Sequence, residues 1–232
     1  YDVILAAHES GIPYHQVLGI AAKAAAPAIQ YGHYQNEWNS FTQECECNED
    51  FAREIHQLYY GIFGTTDPQH EDVTIPETAK MLTDMRVGQG DDPDNVVTFK
   101  TEEHHVAPVM IFGQAISGAD ASAKIDMLMP RSIQHPESLN NLPIMIIAGL
   151  ADDKLNESTR QRLRTAWASM GANKYFLDFI HAYAISELFH STSQTKFFTS
   201  FERGLFLANK FNLDNLEAFF AGGHYGTRTG YS

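Results

Sequence analysis

Cys45-Glu46-Cys47-Asn48-Glu49-Asp50-Phe51-Ala52-Arg53-Glu54-Ile55-His56-Gln57-Leu58-Tyr59-Tyr60-Gly61 is the stretch whose reading decides the fold. It reads as a complete amphipathic helix. Asn48 is a residue type that accepts hydrogen bonds from first-turn N–H groups. Glu49 and Asp50 put negative charge at the positive end of the helix dipole. Phe51, Ile55, Leu58, Tyr59 and Ile62 recur at three- and four-residue spacing and make one apolar face. Gly61 and Gly64 mark the exit. On the polar face Glu49 and Arg53 stand four apart, a pairing worth about 0.2–0.5 kcal/mol. Capping, packing and an ion pair account for every residue type here, so the expected role is structural. The Phe51/Ile55/Leu58 face is expected to bury against the Phe-, Ile- and Tyr-rich segment Lys174–His190.

Working outward, the same signals recur. Tyr1–Ala7 reads as the tail of a helix broken at Ser10-Gly11, and Pro13 opens a second one that stops at Pro27. Tyr31–Gln43 is polar and aromatic and reads as a loop. Thr74-Ile75-Pro76-Glu77 is a start signal for a helix ending near Val87. Asp91–Asn95 is a turn. Val96–Phe99 and Val109–Phe112 read as two short strands that pair as a small hairpin. Asp120 starts a helix closed by Pro130. Leu142–Leu150 reads as a buried helix, and Asn156 starts another that stops at Gly171. Lys174–His190 is expected to be one continuous core helix. Further helices are expected from the capping box at Thr199 and from Asp214 to Phe220. The expected fold is mainly α: one multi-helix domain over residues 1–221 with a small β-hairpin around residues 96–112, then an irregular tail, 222–232.

Composition narrows the function classes. At 232 residues the chain can bury a sizeable core, and 44% hydrophobic with 19% charged residues argues against wholesale disorder. The formal charge is −13, with ten acids between Asp67 and Glu103 against Lys80, Arg86 and Lys100. Such a surface repels a phosphate backbone, so nucleic acid is not an expected partner. The longest apolar run falls far short of the ~18–20 residues of a membrane span. There is no Gly-x-Ser-x-Gly elbow, dinucleotide fingerprint, P-loop or His-Glu-x-x-His.

Three groups of residues carry possible chemistry. Glu187 and His190 form a Glu-x-x-His whose side chains share one side of a continuous helix, the ligand spacing of carboxylate-bridged di-metal bundles. His104 and His105 follow Glu102 and Glu103, and both imidazoles reach one divalent metal only from a loop. Cys45 and Cys47 are the two cysteines of the chain. They leave three readings open: free thiols, a labile local disulfide, or half of a metal site.

Asn48–Leu58 is similar to the Asn-Glu-Asn-Phe/Tyr-Ala-Arg-Glu-Leu-x-Glu-Leu signature of a bacterial family catalogued as domain of unknown function 1800. Asp72-Val73, Thr78–Asp84 and His181–Ser191 resemble its later runs. The resemblance implies a mostly helical bacterial protein, often made with an export signal and commonly about twice this length. It implies no activity, and Cys45-Glu46-Cys47 departs from the family pattern. The expected protein is therefore exported and extracytoplasmic, acting by binding or assembly with a protein partner or the rest of its own chain. The alternative is a metal-dependent enzyme using Glu187/His190 or His104/His105.

Overall fold

The structure is a computed structural model that describes residues 2–88, 97–190, 195–197 and 210. Among these residues the chain is mainly α-helical, as its periodicity predicts. Helices α1 (Asp2–Glu9), α2 (Tyr14–Ala22) and α3 (Ala25–Gln30) come first. Strand β1 (Glu37–Asn39) pairs antiparallel with β2 (Glu44–Glu46), and α4 (Asp50–Glu54) and α5 (Ile75–Met81) follow. Two more hairpins join β3 (Met85–Val87) to β4 (Val97–Phe99) and β5 (Val109–Ile111) to β6 (Gln114–Ile116). The chain then runs through α6 (Ala121–Ser132), α7 (Pro136–Leu150), α8 (Glu157–Ser169) and α9 (Phe176–Ala184). No helix among the described residues is long and apolar enough to cross a membrane.

The decisive stretch folds with one change of phase. Its first residues belong to β2, and Asn48 Oδ1, one residue before the Glu49 N-cap position, then accepts the first helical N–H, that of Asp50, at 2.8 Å. Arg53 pairs with Glu49 at 2.9 Å and also reaches Glu71. Past Glu54 the helix widens into a π turn over Ile55–Tyr59. A π turn adds one residue to the cycle, so the face that points inward rotates. Phe51, Ile55 and Ile62 are buried as expected, but Leu58 is 59% exposed, and His56 and Tyr60 are fully buried instead. The widening is held by the His56–Thr78 hydrogen bond, Nε2 to Oγ1 at 2.8 Å, and by Ile62 N–H donating to His56 C=O at 2.8 Å. The face packs on α5 and on the turn after α3, where Phe51 stacks on His33 with ring centres 4.2 Å apart. The expected partner, Lys174–His190, instead serves α8: Phe179 meets Trp167 edge-on at 4.9 Å.

Other expectations change for local reasons. The two expected strands form but do not pair with each other. Val97 to Phe99 pairs with Met85 to Val87, because α5 ends at Met81 and Asp84, at φ 82°, turns the chain back. Val109 to Ile111 pairs with Gln114 to Ile116 across Phe112 and Gly113. Both loop residues have positive φ, 52° and 67°, as a two-residue hairpin loop requires. Pro27 lies in the first turn of α3, where its missing N–H costs nothing, and Pro130 lies within α6 rather than closing it. The caps at Asp120 and Asn156 form as expected, accepting Ala123 N–H at 2.7 Å and Thr159 N–H at 2.9 Å. Helix α9 stops at Ala184, short of His190. Ser186 competes for the last carbonyls, its hydroxyl donating to Tyr183 C=O at 2.6 Å. The Asp91–Asn95 turn, Val96, the two expected C-terminal helices and the 222–232 tail lie outside the described residues.

The rotated face has a direct test in urea unfolding. We expect Ile55→Ala to cost about 2–5 kcal/mol and Leu58→Ala to stay within about 0.5 kcal/mol. A continuous α-helix with Leu58 inside reverses the second result.

Candidate functional site

An open cleft of about 840 Å³ forms where three stretches meet: the loop before α5, the tip of the β5–β6 hairpin and the α6–α7 junction. One carboxylate places the first of these. Glu137, in the first turn of α7, accepts the N–H groups of Phe63 at 2.7 Å and Thr66 at 3.1 Å, and the Thr66 hydroxyl at 3.1 Å. Burial pushes this carboxyl upward, but these N–H groups with the Thr65 and Thr66 hydroxyls outweigh it and leave the pKa lowered. Four residues on, Asn141 Nδ2 donates to Gly61 C=O at 2.7 Å. Gly61 has φ 65°, and a Cβ there would lie 2.8 Å from Met145 Sδ, so the close approach requires glycine.

The hairpin is fixed at both edges. Glu77 Oε2 accepts Met110 N–H from β5 at 3.1 Å, and Arg131 Nη1 donates to Ala115 C=O in β6 at 2.7 Å. This holds Phe112 against His135, ring centres 4.5 Å apart. Behind them Phe112 meets His56 at 5.1 Å, and His56 meets His70 at 5.4 Å. A file of rings thus runs from the core to the cleft wall. Burial, helped by the nearby His70 and His135, pushes His56 down to about 3, and burial also lowers His135. His56 and His135 are therefore neutral at pH 7. Hydrogen-bonding capacity comes from Thr66, Gln69, Gln114 and Gln134, and charge from Arg131 and Asp67. Asp67 is engaged, accepting Gln69 N–H at 2.9 Å.

The residues singled out from sequence lie elsewhere. His104 is buried, with Nδ1 3.0 Å from Thr83 C=O and 3.5 Å from Asp84 Oδ2. His105 turns the other way and meets Trp38 edge-on at 4.3 Å. Lys124 holds this loop by donating to the carbonyls of His105 and Ala107. Desolvation raises Asp84 to about 7, opposed by the nearby Ala121 N–H. Desolvation also lowers His104 to about 4 and Lys124 to about 8. A strained, buried carboxyl beside an imidazole has the electrostatics of a catalytic pair. Yet both side chains are fully enclosed, and neither lines the cleft. Glu187 and His190 are exposed in the turn after α9. Cys45 and Cys47 are joined to each other. Among the described residues no three His, Cys, Asp or Glu side chains are arranged to hold a metal ion.

Sequence reasoning missed His56, His70, Phe112, Arg131, His135 and Glu137. The usable signals were local: Phe112-Gly113 between two apolar runs, and His135-Pro136-Glu137 as a helix start. In comparison with known proteins, a family described as protein of unknown function (DUF1800) matches residues 21–202. No curated protein and no solved structure matches.

The buried imidazoles fix the sign of the acid response. His33 and His56 are held at about 3 and His104 at about 4, all from an ordinary 6.5. Between these limits the unfolded chain binds protons that the folded chain refuses, so stability falls as pH drops from 6.5 toward 4. Asp84, raised from 3.8 to about 7, acts oppositely over that range, but it is one group against three. We expect the urea midpoint to fall between pH 6.5 and 4.5, and His56→Gln to flatten that slope. A midpoint that rises on acidification overturns the assignment.

Proposed function

The chain belongs to the DUF1800 family, whose function is unknown, and on that premise we propose that it is an exported binding protein. Its cleft holds an extended segment of a protein partner. The observation that carries this reading is the cleft wall. Gln69 and Gln114 line it, both exposed, and their side chains make no hydrogen bond among the described residues. Side-chain amides offer one donor and one acceptor face, the match for a peptide group. Val73, Met110 and Phe112 supply apolar surface beside them for a partner's side chains.

Two further points support the reading. The cleft opens to solvent along the hairpin tip, as an extended chain requires, and its lining histidine, His135, is kept neutral by burial and adds no charge to the wall. A metal-dependent reaction at Glu187/His190 or His104/His105 draws no comparable support, since the first pair sits on an exposed turn and the second pair diverges.

Selection from a displayed library of random peptides, with the Gln69→Ala/Gln114→Ala variant as the counter-target, tests the proposal. Both side chains are exposed, so the variant is expected to fold normally. We expect enriched sequences that bind the native chain at micromolar affinity or better and lose at least about tenfold, roughly 1.4 kcal/mol, on the variant. Sequences that bind both proteins equally, or no enrichment at all, count against it.

A further inference from the structure

We infer that Cys45 and Cys47 form a thiol–disulfide exchange site that oxidises positively charged dithiols. No residue lines both this site and the peptide cleft, so the inference is independent of the binding proposal. The bond joins residues separated by two positions, with Cα atoms 5.3 Å apart, within the usual disulfide range. Cys45 lies in β2 and Cys47 just past its end, and their 5.3 Å separation is shorter than the roughly 6.4–6.8 Å of a fully extended i,i+2 pair, so the chain contracts where the two side chains meet. A bond closing so short a loop ties no distant parts of the fold together. It removes little freedom from the unfolded chain and so contributes little stability. A structural staple is therefore a poor account of it, while reactivity fits a small, constrained ring.

Access and charge give the site its direction. Both cysteines line an open pocket of about 390 Å³ together with Glu44, Glu46, Glu49 and Lys80. Lys80 is paired with Glu77 at 2.5 Å and Glu49 with Arg53 at 2.9 Å. Glu44 and Glu46 are exposed and form no ion pair among the described residues, so the rim is net negative. An incoming anionic thiol is repelled and a cationic one is drawn in, the more so at low salt.

The chemistry needs no other oxidant. A substrate thiolate attacks Cys45 Sγ, forming a mixed disulfide. The Cys45–Cys47 bond breaks and Cys47, packed against the core, leaves as a thiolate that takes a proton from water. The substrate's second thiolate then attacks the substrate sulfur of the mixed disulfide, and Cys45 leaves and is protonated. The substrate departs as a disulfide, two electrons poorer, and the protein is left as a dithiol.

Stopped reduction of the oxidised protein, followed by maleimide mass shift, tests this with cysteamine, 2-mercaptoethanol and 3-mercaptopropionate, each rate expressed per thiolate. We expect reduction at millimolar thiol, which leaves structural disulfides intact. Cysteamine should react about tenfold faster than 3-mercaptopropionate at low salt. Glu44→Gln/Glu46→Gln should collapse that ratio, and Cys45→Ser/Cys47→Ser should leave the melting temperature unchanged. Equal rates for the three thiols, a pair that stays oxidised, or a double serine variant that melts markedly earlier overturns the inference.

Discussion

The Glu137 carboxylate is the interaction on which the arrangement depends. A buried charge is costly unless its oxygens are satisfied, and here two backbone N–H groups and threonine hydroxyls do so. The bonds tie α7 to the loop that leaves the π turn. With Asn141 holding Gly61 C=O, they fix where the chain exits the core. Everything that follows is set by that exit: the lip formed by Thr66 and Asp67, the approach to α5, and the distance from the hairpin tip. The cleft is thus a consequence of how one helix start captures one loop, rather than a gap left by poor packing.

The same exit makes sense of the π turn. Gly61 has to arrive at α7 with no side chain between them, while His56 has to reach Thr78 on α5. Adding a residue to one turn satisfies both, with Leu58 left in solvent and Tyr60 carried inside. His56, in the middle of the file of rings, is held neutral by burial.

These facts bear on what was readable in the sequence. Caps are local, so Asn48, Asp120 and Asn156 could be named in advance, and so could the α class from three- and four-residue periodicity. The phase of the decisive helix could not, because its π turn is set by His56–Thr78 and by the captured loop, both contacts distant in sequence. Strand pairing failed for a similar reason: Val97 to Phe99 is close in sequence to Val109 but is taken by Met85 to Val87 once Asp84 turns the chain. The cleft draws its wall from residues near 66, 112 and 131, and no short motif spans such separations. His104 and Glu187 attracted notice because their residue types are chemically versatile, yet one is locked to Thr83 and the other lies on an exposed turn. Cys45 and Cys47 could be singled out from sequence, but three states remained open for them.

Native-state hydrogen exchange at the Phe63 and Thr66 amides tests the central dependence most directly. Both belong to a loop, and loops ordinarily exchange through small local openings. If Glu137 anchors this loop to the core, the two amides exchange only through unfolding as large as that of the buried helices, and Glu137→Ala releases them selectively. Exchange at ordinary loop rates in the native protein contradicts it.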